Sequence, residues 1–177
     1  MKSDSDPRLE NVLGSVAVAI SDAVQAAVDE ASGHTAAGPA ALTALRIHDG
    51  CSVDHLAHVL GLTHSGTVRL VDRLETDGLL RRGQGRDARV VTLELTAKGA
   101  RRATRVSAAR AAAVEQFLGN LDAGERRTFL KLVEKMVTTG VEDWPEVQHR
   151  CRLCNLEACH AGGDPCPLDV HMAGLAG

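Results

Sequence analysis

Residues 61–82 read GLTHSGTVRLVDRLETDGLLRR, and this stretch decides the fold class. Thr63 can cap a helix that Gly78 ends, because Thr is a favoured N-cap residue and Gly is common just beyond a helix. The apolar residues between them recur at helical spacing, at Val68, Leu70, Val71 and Leu74. A shorter helix, capped by Ser52, precedes Gly61. Two helices joined by so short a turn predict a helix-turn-helix.

The sequence that follows this helix changes from helical to alternating periodicity. Residues 79–82 and 88–95 alternate in the manner of two strands, and we expect Gly83 and Gly85 to supply the turn between them. Arg86 follows directly, so the predicted hairpin has a basic tip. A helix-turn-helix followed by such a β-hairpin is the winged-helix arrangement.

Helical periodicity also marks the segments on either side of the winged helix. Apolar stripes run through residues 9–28, 106–118 and 129–137, and Asp122 with Glu125 resembles a capping box. Three short helices and a hairpin make too small a core to cover these stripes. We therefore expect a homodimer in which the end helices interleave, although a monomer could fold them into its own bundle. The predicted fold class is mainly α with a small β-hairpin wing: a winged helix-turn-helix with long N- and C-terminal dimerisation helices.

These patterns divide the chain into four parts. We expect an N-terminal dimerisation helix over residues 1–37 and a winged helix-turn-helix DNA-binding domain over residues 38–98. C-terminal dimerisation helices would follow over residues 99–145, where Pro145 is expected to oppose further helix. Residues 146–177 form a cysteine-rich tail, loop-rich and without an evident core of its own.

Two stretches of this sequence resemble one known family. Residues 61–82 are similar to the recognition-helix segment of the MarR family of winged helix-turn-helix transcriptional regulators, and residues 87–99 (DARVVTLELTAKG) to its wing-and-exit motif. The resemblance extends over residues 8–140, and it departs from the commoner family pattern at Gly66 and Val68, where small polar residues are frequent.

The resemblance implies a function and several site residues. It implies a regulator, here expected to be a repressor, that binds double-stranded operator DNA as a homodimer. It implies that Arg89 reaches the minor groove from the wing, that Arg86 is a second wing contact, and that Asp87 braces nearby basic residues. It also implies a small phenolic or drug-like effector bound between the dimerisation and winged-helix parts.

The helix that begins at Thr63 carries the candidate base-reading residues. A recognition helix enters the major groove with its N-terminal residues facing base edges, and the candidates at that end are Thr63, His64, Ser65, Thr67 and Arg69. Arg73 lies on the same face as Arg69 but could instead pair with Asp77, four residues on. The basic pair Arg81 and Arg82 could contact phosphate or lie solvated at a strand end.

The distribution of charge supports an anionic partner for the middle of the chain. Residues 62–105 hold ten Lys and Arg against five Asp and Glu, whereas residues 1–61 hold three against eight. Residues 106–177 are again acidic, with seven against ten. A basic segment between acidic ones localises an anion such as the DNA backbone to that segment, although a solvated basic face has the same composition.

Four of the five cysteines fall in the last 27 residues, in the pattern C-x2-C-x4-C-x6-C formed by Cys151, Cys154, Cys159 and Cys166. In a reducing compartment such a cluster favours a metal or redox site over disulfides. Compact, unequal runs followed by Pro are typical of iron–sulfur ligands, and the ending Cys-Pro-Leu is similar to the cluster run of MerR-type redox regulators. We therefore predict an iron–sulfur cluster.

Other interpretations of the tail remain open. Four thiolates could hold structural zinc, although zinc sites of that kind usually pair two C-x2-C knuckles, and thiol–disulfide switching is a third possibility. His149, His160 or His171 could replace a ligand, although solvated loop positions suit them better. Cys51, beside a helix start, suits an inert core residue.

Several classes of function find no support in the sequence. It shows no nucleophile–base pair, Gly-rich phosphate loop or paired-carboxylate site, so a redox or metal-handling enzyme is the least supported reading and we predict no catalysis. The N-terminus lacks the apolar region of a signal peptide, and no apolar run approaches the ~20 residues that span a bilayer. We expect a cytoplasmic protein without a membrane partner.

Overall fold

The computed structural model describes residues 6–84 and 91–176, and they fold into helices with a small two-stranded hairpin. The predicted fold class is confirmed. The elements in chain order are α1 Pro7–Ser32, α2 Gly38–Ile47, α3 Val53–Leu60, α4 His64–Thr76, β1 Leu80–Gln84, β2 Val91–Leu95, α5 Ala97–Leu118, α6 Ala123–Val137, α7 Trp144–Arg150, α8 Leu156–Cys159, the 3-10 turn Ala161–Gly163 and α9 Pro167–Leu175.

Polar caps begin the helices where the sequence predicts them. The hydroxyls of Ser52, Thr63 and Thr96 accept hydrogen bonds from backbone N–H groups in the first turns of α3, α4 and α5. Asp122 and Glu125 form the predicted capping box of α6. Such caps satisfy N–H groups that have no partner inside the helix, each contributing about 1 kcal/mol.

The core of the winged helix is built from leucine and valine rather than aromatic residues. Side chains from α2, α3, α4, the hairpin and α5 form one cluster, whose largest fully buried members are Leu42, Leu45, Leu56, Leu74, Leu79, Leu80, Leu93, Val59 and Val71. Burying one such side chain contributes ~1.5–3 kcal/mol. This cluster fixes α4 against α3 and the hairpin, so the outer face of α4 has one orientation.

The first strand of the hairpin begins at Leu80, one residue later than the sequence suggests, and it continues through Gly83 to Gln84. β1 and β2 pair antiparallel, with Leu80 opposite Leu95 and Gly83 opposite Thr92. The expectation that Gly83 forms the turn is wrong, because this residue lies inside the paired region. A side chain at Gly83 would meet Glu94 and Thr92, which explains a glycine there. Cys51 adds a bridge to Leu93 on the other side of β2.

The two long helices α1 and α5 pack against each other, while other apolar faces stay exposed. Val28, Ala31 and Val106 form a small buried cluster at their contact, and the guanidinium of Arg102 donates to the Ser32 carbonyl. The N-terminal half of α1 and much of α6 expose large apolar side chains: Leu9, Val12, Leu13, Val16, Val18, Phe129, Leu130, Leu132, Met136 and Val137. Among the described residues, the helix Pro7–Ser32 has the length and composition of a membrane-crossing helix. Its C-terminal end, however, packs on α5.

The C-terminal tail is more regular than the sequence indicates. Pro145 does not oppose helix: it occupies the first turn of α7, where its missing N–H needs no partner, and Asp143 caps that helix. The expectation of a tail without its own core is also wrong. Val141, Val147, Leu168, Met172 and Cys166 form a small buried cluster, against which Cys151 packs.

Candidate nucleic-acid interface and cysteine cluster

The exposed N-terminal end of α4 brings together most of the predicted base-reading residues. The Thr63 hydroxyl accepts from the Gly66 N–H at 3.2 Å, and His64 and Ser65 follow in the first turn. All three predicted side chains are exposed. The Nδ1 atom of His64 lies 2.6 Å from an Asp54 carboxylate oxygen of α3, so the ring is oriented before any partner binds.

Thr67 does not belong to this surface. Its side chain is fully buried, and its hydroxyl donates to the Thr63 carbonyl at 3.0 Å. The prediction that Thr67 reads DNA is therefore wrong. The residue lies on the inner face of α4 with Leu70, Val71 and Leu74. Because its hydroxyl is hydrogen-bonded within the helix, burying this polar group costs little free energy.

Arg69 and Arg73 form a basic stripe on the outer face of α4. Both side chains are exposed, and they are four residues apart, so they lie one above the other on the helix. The alternative pairing of Arg73 with Asp77 is not found: within the described chain, Asp77 lies 3.2 Å from the His34 ring instead, and its carbonyl accepts from Lys98. Both guanidiniums are therefore available to an anion.

Arg81 and Arg82, in contrast, are used within the protein. Arg81 pairs across the hairpin with Glu94 at 2.7 Å. Arg82 donates to Asp72 at 2.6 Å and also pairs with Glu75, which joins β1 to α4, and the hydrogen bond to Asp72 is the main reason that the pKa of Arg82 is raised. This arrangement neutralises two carboxylates on the flank of α4 that would otherwise repel phosphate.

The wing predictions fall where the structure gives no description. Arg86, Asp87 and Arg89 lie in residues 85–90, outside the described residues. The strands on either side bring the hairpin out beside α4, because Arg82 of β1 is bonded to Asp72 of that helix. Arg86 and Arg89 stay predictions.

The four tail cysteines converge, although they are distributed over three short elements. Hydrogen bonding with the Cys151 thiol is the main reason that the pKa of Cys154 is lowered to about 6, and the positive charge of Arg110 on α5 and the Cys159 thiol act in the same direction. Cys166 lies close enough for its charge to raise the pKa values of Cys151 and Cys159.

The tail cysteines are free thiols, and Cys166 is the one of them that is buried. Within residues 6–84 and 91–176, no group of three or more His, Cys, Asp or Glu side chains has the arrangement of a metal site. All five cysteines are free thiols, and burial raises the pKa of Cys51, far from the cluster, to about 11.

The sequence suggested solvated loop positions for the tail histidines. In the structure, two of them hydrogen-bond to backbone carbonyls instead. The Nδ1–H of His149 donates to the Val59 carbonyl at 2.9 Å, and the Nε2–H of His171 donates to the Val141 carbonyl at the same distance. His160 is exposed at the end of α8. The first of these bonds ties the tail to the last turn of α3.

A sequence model of the MarR family matches residues 37–90, which span α2 to the wing. The chain is also similar to a MarR family protein from Bacillus stearothermophilus, with 27% identity and a TM-score of 0.64 over 74% of this chain and 91% of that one. No curated protein matches.

Two further similar structures carry ligands. Both are of the Mycobacterium tuberculosis MarR family protein Rv2887, and each covers 75% of this chain and 98% of that one. The complex with DNA has 27% identity and a TM-score of 0.60, and the complex with salicylic acid has 28% and 0.57. Together the matches show that the chain is similar to MarR-family winged-helix proteins, one of which is described in complex with DNA.

Proposed function

We propose that this protein is a sequence-specific transcriptional repressor that binds operator DNA as a homodimer in the cytoplasm. The observation that carries the proposal is the outer face of α4, where His64, Ser65, Arg69 and Arg73 are exposed while the opposite face is buried. Such a helix fits the major groove, and we expect Arg86 and Arg89 to be the DNA contacts of the wing. Two-fold symmetry would place two such helices on a pseudo-palindromic duplex, with half-sites about one helical turn apart.

Replacement of Arg69 tests this surface. We expect Arg69→Ala to weaken binding by ~1–3 kcal/mol, because a guanidinium is lost that binds guanine or phosphate. The measurement is a titration of duplexes selected from a random pool by the wild-type protein, at several salt concentrations. Lys131→Ala, which removes one exposed positive charge from α6, is the matched control and should bind as wild type. Equal binding by both variants would place the DNA surface elsewhere.

The dimer is proposed from the exposed apolar faces of α1 and α6. None of the residues of α6 is buried, although its large apolar residues include Phe129, Leu132 and Met136, each more than two-fifths exposed. Large contiguous apolar surfaces of this kind mark interaction sites. We propose that a second copy of the chain covers these faces, because a pseudo-palindromic operator is bound by a two-fold symmetric dimer.

A charge placed on α6 should therefore disrupt the dimer. We expect Leu132→Glu to weaken self-association by roughly 2–3 kcal/mol, because burying an unpaired carboxylate at an interface is costly. Analytical ultracentrifugation at micromolar protein measures the effect. Leu156→Glu introduces the same group at an exposed apolar residue outside α1 and α6, and this variant should remain dimeric. A wild-type protein that sediments as a monomer would contradict the proposal.

We propose further that Cys151, Cys154, Cys159 and Cys166 hold a redox-sensing iron–sulfur cluster, with a structural zinc ion as the alternative. Support comes from the convergence of the thiols around Cys154 and from the donor set, which contains four sulfurs in sixteen residues. The guanidinium of Arg110 would offset the negative charge of a metal–thiolate centre. The single C-x2-C knuckle favours a cluster over zinc.

An effector-responsive regulator is the second candidate function. A groove of about 450 Å³ between α1 and α5 is lined mainly by alanines, among them Ala23, Ala27 and Ala109, and also by Arg105 and Glu30. Its apolar wall suits a small aromatic ring, and Arg105 offers a cation for a carboxylate such as that of the salicylic acid in the Rv2887 complex, whereas Glu30 opposes an anion. Release of the selected duplex by millimolar salicylate, abolished in Arg105→Ala, would support this function. The cysteine site would then be only a zinc staple.

A further inference from the structure

The C-x2-C knuckle, residues 151–154, is inserted between the long helices and the winged helix. Leu153, the residue before Cys154, packs against the winged-helix core and also against the cluster of Val28 and Val106. It also lines a cavity of about 220 Å³ with Val28, Ala40 and Leu60. Leu153 therefore contacts both the winged helix and the α1–α5 pair. In the proposed dimer, the relative position of these two parts sets the separation of the two recognition helices.

Neighbouring residues fasten the knuckle on each side. His149 bonds to the Val59 carbonyl, and its ring lies against Gly61, where an added Cβ would be 3.0 Å from the ring. Gly61 is the left-handed residue of the helix-turn-helix turn, directly before α4. On the other side, Arg46 of α2 donates to the Asn155 side chain at 3.2 Å.

We propose that Leu153 transmits the state of the cysteine site to the DNA-binding surface. With Cys151 and Cys154 both ligated, Leu153 is held in the cleft between α1, α5 and the winged helix. With the ligands released, the knuckle can leave the cleft, and the two parts can change their angle. A ligand shifts a protein between two conformations only if it binds them with different affinity. Here the two conformations are the one with Leu153 in the cleft and the one with Leu153 outside it. The inference rests on the proposed metal site and DNA-binding function.

The test compares duplex affinity with and without metal in three proteins. Wild type, Leu153→Ala and Leu156→Ala are purified without oxygen, their metal content is measured, and half of each is stripped with a chelator under reducing conditions. The probe is a duplex selected by the wild-type protein from a random pool, with metal-loaded and stripped protein used in parallel. Leu156 is the matched control, because it lies between Cys154 and Cys159 but is 39% exposed and outside both clusters.

We expect the dissociation constants of loaded and stripped wild type to differ by about tenfold or more, within the usual range of allosteric coupling. Leu156→Ala should keep that ratio. Leu153→Ala should keep its metal while the ratio falls below about threefold. If Leu153→Ala does not fold, Leu153→Val replaces it, and the ratio should fall between those two values.

Three kinds of failure are distinguishable. A Leu153→Ala protein with full metal content and the wild-type ratio would overturn the inference alone, as would a loaded wild type whose affinity does not change on stripping. A wild type that holds no metal would overturn the proposed cofactor and the inference together. A wild type that selects no duplex would overturn the proposed DNA-binding function, and the inference with it.

Discussion

A Gly99→Ala variant should lose at least about 4 kcal/mol of unfolding free energy, an effect that single substitutions reach only through a severe local clash. A Cβ at Gly99 would lie 1.8 Å from the Leu79 carbonyl oxygen and 2.8 Å from its carbon. Both are backbone atoms, so no side-chain rotation relieves the contact. The Leu79 carbonyl also accepts from the Thr96 N–H at 3.0 Å, which prevents it from moving away independently.

The measurement is chemical denaturation at fixed protein concentration, because the proposed dimer would make stability depend on concentration. Gly174→Ala is the matched control: it too lies in a helix, but nothing lies within 4 Å of an added Cβ. That variant should be unchanged or slightly more stable, since Ala favours helix over Gly by about 1 kcal/mol. Loss of less than about 1 kcal/mol in Gly99→Ala would mean that α5 does not approach Leu79 as described.

Gly99 also shows what the sequence could predict. The segment Thr96-Ala97-Lys98-Gly99 resembled a family motif, and in the structure Thr96 caps α5 there. Caps and apolar spacing are local properties, so Ser52, Thr63 and Asp122 were predicted at the correct positions. The reason for the glycine is not local. It requires α5 to cross the end of β1, which only the folded core defines.

The errors have the same origin. Thr67 is polar and stands among DNA-facing residues in sequence, but the packing of α4 on the core turns it inward. Arg81 and Arg82 seemed available to phosphate until the hairpin brought Glu94 and Glu75 beside them. In the tail, Pro145 suggested an end to helix. It instead lies in the first turn of α7, directly after the Asp143 cap, where a proline is tolerated. Leu153 carried no sequence signal at all.

A Cys154→Ala variant should lose all bound iron and acid-labile sulfide, the largest change in composition that one substitution can cause here. Cys154 is central to the cluster, because Cys151, Cys159 and the charge of Arg110 all lower its pKa, to about 6. Removal of one ligand of four opens the site to solvent. The brown colour expected of anaerobically purified wild type should therefore be absent, and metal and sulfide analysis quantifies the loss.

Cys51→Ala provides the matched control, because it removes one cysteine without touching the tail. Burial raises the pKa of Cys51 to about 11, so this thiol is not a ready ligand. The variant should keep its iron and sulfide. A colourless wild type with one zinc ion per chain would exclude the cluster but keep the four ligands, provided that Cys154→Ala then loses the zinc.

The DNA affinity of Cys154→Ala distinguishes a cysteine site that regulates DNA binding (a sensor) from one that only stabilises the tail (a staple). Leu153 lies between Cys151 and Cys154, so a sensor should respond to the loss of Cys154 with about a tenfold change in the dissociation constant of the selected duplex. A staple should give the same affinity with reduced stability of α7 to α9, because the small cluster around Val147 and Leu168 would lose the support of the ligated knuckle. Iron retained by Cys154→Ala at the wild-type level would contradict both, since the thiol at the centre of the four would then not be a ligand.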